Sequence, residues 1–293
     1  MNILTFDIEE WFHILDHQST KTEKEWSQYE SRIHANMDRI FQLLDDTGNS
    51  ATFFCLGWVA RKYPEVIKRI DAAGYEVATH SDMHQLAYEQ TPEAFREDLA
   101  RSIAVLADIT GKKIRAYRAP GFSVKAENRW VFPILVEQGI EIDCSVFPAR
   151  RAHGGDATFG SAEPCYIDIN GQLLKEFPIN TVPVLGKDMI FSGGGYFRLF
   201  PPKLLSRFMR QSGYVMTYFH PRDFDAGQPL IPNLSAARRF KSYYGLKGCW
   251  SKLKWLLETY PFVDLDQADK SIDWSTRKVQ KLEISESYGS IIR

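Results

Sequence analysis

The chain has 293 residues, 44% of them hydrophobic and 25% charged, with a formal net charge of -1. This balance is ordinary for a globular enzyme. It lacks the basic excess of a nucleic-acid-binding surface, so no nucleic acid is expected as a partner. The length suits one large α/β barrel with an appended segment.

In chain order, a β-rich run at residues 2–6 leads to Asp7. Ile33, Met37, Ile40, Phe41 and Leu44 recur at helical spacing over residues 30–47. Gly48 closes that helix, and residues 51–57 read as the next strand. Pro64 opens a helix over 64–73, Gly74 ends it, and a strand follows at 75–80. Thr91 is the expected N-cap of a helix over 93–110 with Phe95, Leu99, Ile103 and Leu106 on its buried side. Gly111 then precedes a strand at 114–118. A helix at 127–138 hands over through Gly139 to a strand at 140–143, and a helix at 201–212 hands over through Gly213 to a strand at 214–220. Glycine after each helix accepts the left-handed C′ conformation and turns the chain into the next strand.

Residues 150–200 break this rhythm. Residues 149–160 read as a loop, 176–180 as a short edge strand closed by prolines, and 192–198 as a glycine-rich turn. Helices are expected at 235–244 and 249–259, then the apolar run 262–265 and a polar tail. The alternation of helix and strand predicts a βα barrel with its chemistry at the strand C-termini. Residues 1–225 are assigned to the barrel and 226–293 to an extension packed on it. Cys55, Cys144, Cys165 and Cys249 form no CxxC pair and are expected to be buried free thiols. The opening strand is too short and too acidic for a signal segment, and no apolar run reaches membrane-spanning length, so a cytoplasmic protein is expected. Residues 247–257, with Trp250, Lys252, Lys254 and Trp255, read either as a helix closing the barrel floor or as one lying weakly on a membrane surface.

The chemistry-bearing residues fall at the strand ends. His80 and His84 lie four apart, a spacing that lets two imidazoles reach one cation; a chance pair with one ring capping or packing is the alternative. Side chains alternate in an extended segment, so Asp7 and Glu9 point the same way, one able to bind a metal and the other to act as a base. Arg118 beside Asp7 would hold that carboxylate ionised. His220 ends a strand across the barrel, where it could protonate a leaving group. Trp11, Pro120, Phe122, Tyr196 and Arg198 are candidate substrate contacts, with Arg198 suited to a phosphate or carboxylate. His13 stands as a ligand, a substrate contact or a structural histidine.

TFDIEE, HSDMH, RAPGFS, IDCSVFP and YFHP, in that order, resemble the five motifs of the polysaccharide deacetylases (NodB-homology, carbohydrate esterase family 4). EFPIN, SGGGYFRL and YFHPRDFD further resemble a branch associated with exopolysaccharide and O-antigen biosynthesis. The resemblance implies an α/β fold, a distorted (β/α) barrel of about seven parallel strands. It implies Asp7 as catalytic base, His80 and His84 as metal ligands, Arg118 as the residue tuning the base, and His220 as catalytic acid. Asp143 falls in the fourth motif, orienting His220 or supporting the loop. Many members carry an aspartate directly after the base as third ligand; Ile8 stands there, so Glu9 takes that role, with Glu10 as the second choice. The implied cofactor is a divalent metal, Zn²⁺ first and Co²⁺ or Ni²⁺ after it. The implied reaction is N-deacetylation of an amino sugar in surface polysaccharide biosynthesis. A nucleotide- or lipid-linked N-acyl sugar and a non-catalytic carbohydrate-binding barrel are the competing readings.

Overall fold

The computed structural model describes residues 1–15, 17–149, 154–184 and 186–282. Its strands are β1 (Asn2–Ile3), β2 (Thr5–Ile8), β3 (Thr52–Cys55), β4 (Glu76–Thr79), β5 (Ala116–Tyr117), β6 (Ile142–Asp143), β7 (Cys165–Ile169), β8 (Gln172–Glu176), β9 (Val182–Val184), β10 (Lys187–Met189), β11 (Val215–Met216) and β12 (Val279–Lys281). The helices are α1 (Glu23–Trp26), α2 (Ile33–Thr47), α3 (Gly57–Lys62), α4 (Pro64–Ala72), α5 (Pro92–Thr110), α6 (Val131–Glu137), α7 (Gly194–Leu199), α8 (Pro202–Gln211), α9 (Ala236–Tyr243), α10 (Leu246–Thr259) and α11 (Leu265–Ser271).

The main sheet runs β12-β7-β8-β6-β5-β4-β3-β2, and β1 pairs in parallel with β11. β1 and β2 act as one strand interrupted at Leu4: Phe6 bridges Phe219, and the Asp7 amide donates to the Phe219 carbonyl at 2.7 Å. The parallel series is therefore β11, β1–β2, β3, β4, β5, β6 and β8, the expected α/β barrel. Its distortion is an unzipped seam between β8 and β11. Asn180 spans it by accepting the Met216 amide at 3.1 Å, and the Tyr214 hydroxyl donates to the Pro178 carbonyl at 2.8 Å. Apolar side chains pack between the strands and the outer helices, where Phe6 stacks on Phe53 at 5.4 Å, tilts against Phe219 at 6.1 Å and shares a cluster with Met37 and Ile40 of α2.

Several local expectations change for physical reasons. Gly57 opens a helix instead of ending a strand. Its amide donates to the Ser81 carbonyl, and a Cβ there would stand 2.2 Å from an Asp82 carboxylate oxygen. The glycine-rich stretch at 192–198 is the entry to α7, where a Cβ on Gly193 would lie 2.4 Å from the Tyr218 carbonyl. Glu176 ends an interior strand, since β8 lies between β6 and β7.

Residues after 225 interleave with the barrel. Val263 pairs with Ile3, β12 pairs with β7, and Leu246, Cys249, Leu253, Leu256 and Leu257 of α10 are buried. The 247–257 helix therefore turns its leucines into the core. Trp250 lies under the Arg39 guanidinium at 4.1 Å, and Trp255 meets Tyr260 at 6.2 Å. All four cysteines are buried and unpaired. No helix among the described residues is long and apolar enough to cross a membrane. The tail beyond 282 lies outside the described residues.

Two outcomes follow for stability. Asn180→Ala leaves the Met216 amide without its acceptor and should lower the unfolding free energy by about 1–3 kcal/mol in urea denaturation; an unchanged value would mean that the seam needs no tie. Glu76 accepts from Thr52 at 2.7 Å and from the Asp266 amide at 3.2 Å. Burial pushes its carboxyl pKa up to about 7, with Asp264 adding repulsion against the Thr52 hydrogen bond. The folded state thus holds this proton more tightly than the unfolded chain, and the associated stability is lost as pH rises from about 4.5 through 7. Glu76→Gln should flatten that part of the stability–pH curve relative to the parent.

Candidate active site

Parallel strands in register bring their C-terminal residues to one rim, and six of the sequence candidates meet there. Asp7, next to last in β2, is buried, with Oδ1 accepting from Arg118 Nη1 at 2.7 Å and Oδ2 3.8 Å from His220 Nε2. Arg118 is itself fully buried. It also donates to the Thr5 hydroxyl at 2.7 Å and lies over the Phe54 ring at 4.1 Å, so it is fixed before it meets Asp7. Glu9 spans the two imidazoles, with Oε2 2.7 Å from His84 Nε2 and Oε1 3.3 Å from His220 Nε2. Burial alone would raise the Glu9 carboxyl, but the neighbouring His84 and His220 overcome that and hold it well below the usual range.

His80 and His84 have ring centroids 5.5 Å apart. The His80 Nδ1 meets the Arg118 carbonyl at 2.8 Å, which leaves Nε2 as its remaining ligand atom. Burial, with the charge of His84, pushes the His80 pKa down to about 4 against the pull of Asp7. Its ring is therefore neutral at ordinary pH, as a metal ligand must be. The loop between the two histidines is wound tightly, with Ser81 at φ 72 and His84 at φ 54. Such conformations cost free energy in non-glycine residues and persist where the surroundings fix them. Asp98 does the fixing: its carboxylate accepts the Asp82 and Met83 amides at 2.8 and 3.1 Å.

His220 has a partner that the sequence reading missed. Its Nδ1 lies 2.9 Å from Asp223, three residues on, and Asp223 is in turn ion-paired with Arg198. Burial opposes protonation of His220, but the Glu9 carboxylate and then the Asp223 hydrogen bond push its pKa up to about 9. Burial likewise opposes the Asp223 charge, yet Arg198 and His220 hold that carboxyl at about 2. Arg198 also donates to the Lys241 carbonyl at 2.7 Å. It is buried behind the imidazole and does not face an open groove, because its charge is consumed by Asp223. The HPRD spacing, with an acid one turn past the histidine, was the signal available in the sequence.

Asp143 does not meet His220. Its Oδ1 accepts from Ser145 at 2.5 Å, and Ser145 in turn accepts the Ala119 amide at 2.8 Å, so Asp143 supports the loop after Arg118. Burial raises its carboxyl, and burial plus the Asp143 charge raises that of neighbouring Glu176. Glu10 points elsewhere as well, accepting from the Ser31 hydroxyl and from the Arg32 and Ile33 amides at the start of α2. That capping moves the helix start from residue 30 to 33 and occupies the carboxylate considered as a second choice of ligand. Trp11 is buried, bonded to the Glu30 carbonyl at 2.9 Å and packed on Tyr29. Pro120 and Phe122 are buried too, with Phe122 edge-on to Tyr218 at 5.1 Å. Tyr196 is exposed on α7.

Among the described residues no three His, Cys, Asp or Glu side chains converge on a ready-made metal point. The donor chemistry nevertheless fits a divalent cation. Glu9 Oε2 is buried without an aligned hydrogen bond although it lies 2.7 Å from His84 Nε2, a juxtaposition that a cation between them would satisfy. His13 adds a second unmatched atom beside the cluster. Its Nδ1 accepts the Glu10 amide at 3.2 Å, so the neutral ring carries its proton on Nε2, which is buried with no acceptor. Phe12, Trp26 and Trp58 wall the ring, and His84 lies 5.8 Å away. Burial and then His84 push the His13 pKa down to about 3.

Residues 4–132 match the polysaccharide deacetylase family model, and residues 144–270 match a domain of unknown function, DUF3473. A peptidoglycan-N-acetylglucosamine deacetylase of Bacillus cereus is 28% identical over 92 residues, covering 31% of this chain and 34% of that protein. A peptidoglycan deacetylase-like protein of Gibberella zeae is 24% identical over 237 residues, covering 78% of this chain and 61% of that protein. The chain thus spans from about a third to three fifths of the length of these curated relatives. Among solved structures, one from Mycobacterium smegmatis assigned to the polysaccharide deacetylases aligns with a TM-score of 0.64 at 19% identity, covering 97% of this chain and 94% of that one. A 4-alpha-glucanotransferase from Thermococcus litoralis aligns with a TM-score of 0.58 at 11% identity, covering 97% and 42%. The likeness to these structures is one of fold. Residues 4–132, with their motifs in register along the strand ends, thus match the polysaccharide deacetylase family, and the chain shares the fold of the Mycobacterium smegmatis structure.

Proposed function

We propose that this protein is a metal-dependent N-deacetylase that hydrolyses the acetamide of an N-acetylated amino sugar in surface polysaccharide biosynthesis. The observation that carries this reading is the pairing of two buried carboxylates with different partners: Asp7 is held by Arg118, and Glu9 is held between imidazoles. Glu9, His80 and His84 would hold the cation, Zn²⁺ first. A divalent ion there supplies positive charge that polarises the amide carbonyl and acidifies water.

The remaining steps belong to the chain's own residues. Asp7, oriented by its ion pair with Arg118, takes a proton from the attacking water. The tetrahedral species then expels the sugar amine, and His220 donates the proton that the nitrogen needs to depart. Asp223 fixes the His220 ring through Nδ1, so that Nε2 presents the proton to the site. The products are acetate and a free amino sugar, with one water consumed.

The test is elemental analysis for bound metal, paired with acetate release from oligomeric, nucleotide-linked and lipid-linked N-acetyl amino sugars. Asp7→Asn and His220→Ala should each keep the far-ultraviolet circular dichroism of the parent and lower turnover by roughly 10²–10⁴. Metal-loaded protein that binds such sugars without releasing acetate would reject the reaction.

His13 gives a second prediction, on metal affinity. Asparagine can mimic the Nδ1 acceptor and glutamine the Nε2 donor. If the Nε2 proton serves the Glu9–His84 cluster, His13→Gln should retain more affinity than His13→Asn in chelator competition, with roughly a tenfold loss or more in the asparagine variant. The opposite order would make His13 a purely structural partner of the Glu10 amide.

A further inference from the structure

The net charge of -1 conceals a strong local imbalance. No acidic residue falls between Asp188 and Asp223, and none between Asp225 and Glu258, while lysine and arginine recur through both stretches. The two acids that interrupt them are buried and engaged, Asp223 with Arg198 and Asp225 with Arg32. The surface contributed by these segments is therefore cationic.

On that surface α7 and α9 are tied together. Arg198 of α7 donates to the Lys241 carbonyl of α9 at 2.7 Å, and Gly245, just past α9, passes so near that a Cβ would stand 2.9 Å from the Arg198 carbonyl oxygen. α9 buries none of its residues. Leu199 of α7 is 48% exposed, Phe240 of α9 is 55% exposed, and Tyr244, whose ring lies 4.7 Å from that of Phe240, is 49% exposed. Tyr196, one helical turn before Leu199, is exposed as well. Arg239 and Lys241 of α9, and Lys247 two residues past Gly245, are exposed as well.

Large apolar side chains grouped on a cationic face gain free energy when the apolar groups leave water and the cations meet negative charge. An acidic polysaccharide would answer the charge and could stack on a tyrosine. It offers nothing to an exposed leucine, whereas a bilayer with anionic headgroups answers both the charge and the apolar side chains. We propose that the α7–α9 face docks this protein on a membrane containing anionic lipid. The face adjoins the candidate site, because Arg198 of α7 reaches inward to Asp223, the partner of His220. The proposal does not depend on the deacetylase reading.

The experiment is flotation of the full chain with vesicles of phosphatidylcholine alone and of equimolar phosphatidylcholine and phosphatidylglycerol. The protein should float with the second, and high salt should release it. Phe240→Ser with Tyr244→Ser, and separately Arg239→Gln with Lys241→Gln, should each lower partitioning by roughly tenfold or more. These side chains are exposed, so the thermal midpoint should not move. Absence of flotation with the anionic vesicles, equal flotation of the variants, or retention on a soluble acidic polysaccharide without vesicle binding would overturn it.

Discussion

Charge held away from water is the condition on which the rest of this molecule turns. Asp7, Glu9, Arg118, Arg198 and Asp223 are all buried near one barrel rim. Ionised groups in such a place are costly unless each finds an opposite partner with good geometry. The partners form a connected series: Arg118 with Asp7, Asp7 facing His220, His220 with Glu9 and Asp223, and Asp223 with Arg198. Removing one member leaves its neighbour charged and unpaired, so the series behaves as a unit. The same property sets the two groups apart: Asp7 is paired with the Arg118 guanidinium, while His220 is stabilised as a cation by two carboxylates.

Segments after the barrel strands take part in this arrangement. Lys252 of α10 donates to the Phe197, Arg198 and Phe200 carbonyls at 2.9, 2.9 and 2.6 Å. It thereby satisfies carbonyls at the C-terminal end of α7, the helix that carries Arg198. The orientation of His220 is thus traceable through Asp223 and Arg198 to a lysine in the extension. The match of residues 144–270 to a domain of unknown function covers this buttress, along with β7, β8 and α10. In this chain that segment supplies both the last barrel strands and the support behind one imidazole.

Much of the fold was legible because glycine after a helix and a β-rich run beyond it are local signals. Gly48, Gly74, Gly111 and Gly139 all lie at helix ends with positive φ. Asp7, Glu9, His80, His84, Arg118 and His220 could be gathered from sequence because parallel strands in register deliver their C-termini to one rim. What could not be read was which side chains face each other across loops. Asp143 ends a strand as expected, but the loop after it turns Ser145 back toward Ala119 and leaves Asp223 to meet His220. Asp98 lies within α5, remote in sequence from the histidine loop that it braces. Trp11 and Arg198 looked like groove residues by type, yet a carbonyl of Glu30 claims one and a buried acid claims the other. The cationic face escaped notice because acids elsewhere cancel it in the total, and because the Trp/Lys pattern of α10 drew the membrane reading to a helix whose leucines are buried.

The four thiols, finally, are spread across the architecture: Cys55 in β3, Cys144 just past β6, Cys165 in β7 and Cys249 in α10. Each is sealed from solvent, and burial raises the proton affinity of every one of them. An alkylating reagent can react only when the segment around a given sulfur opens, and then only with the small thiolate fraction. The protein consequently carries four native clocks of local opening, which report on the sheet interior, the loop after the strand beside Arg118, the antiparallel β7–β8 pair and the C-terminal buttress without any engineered label.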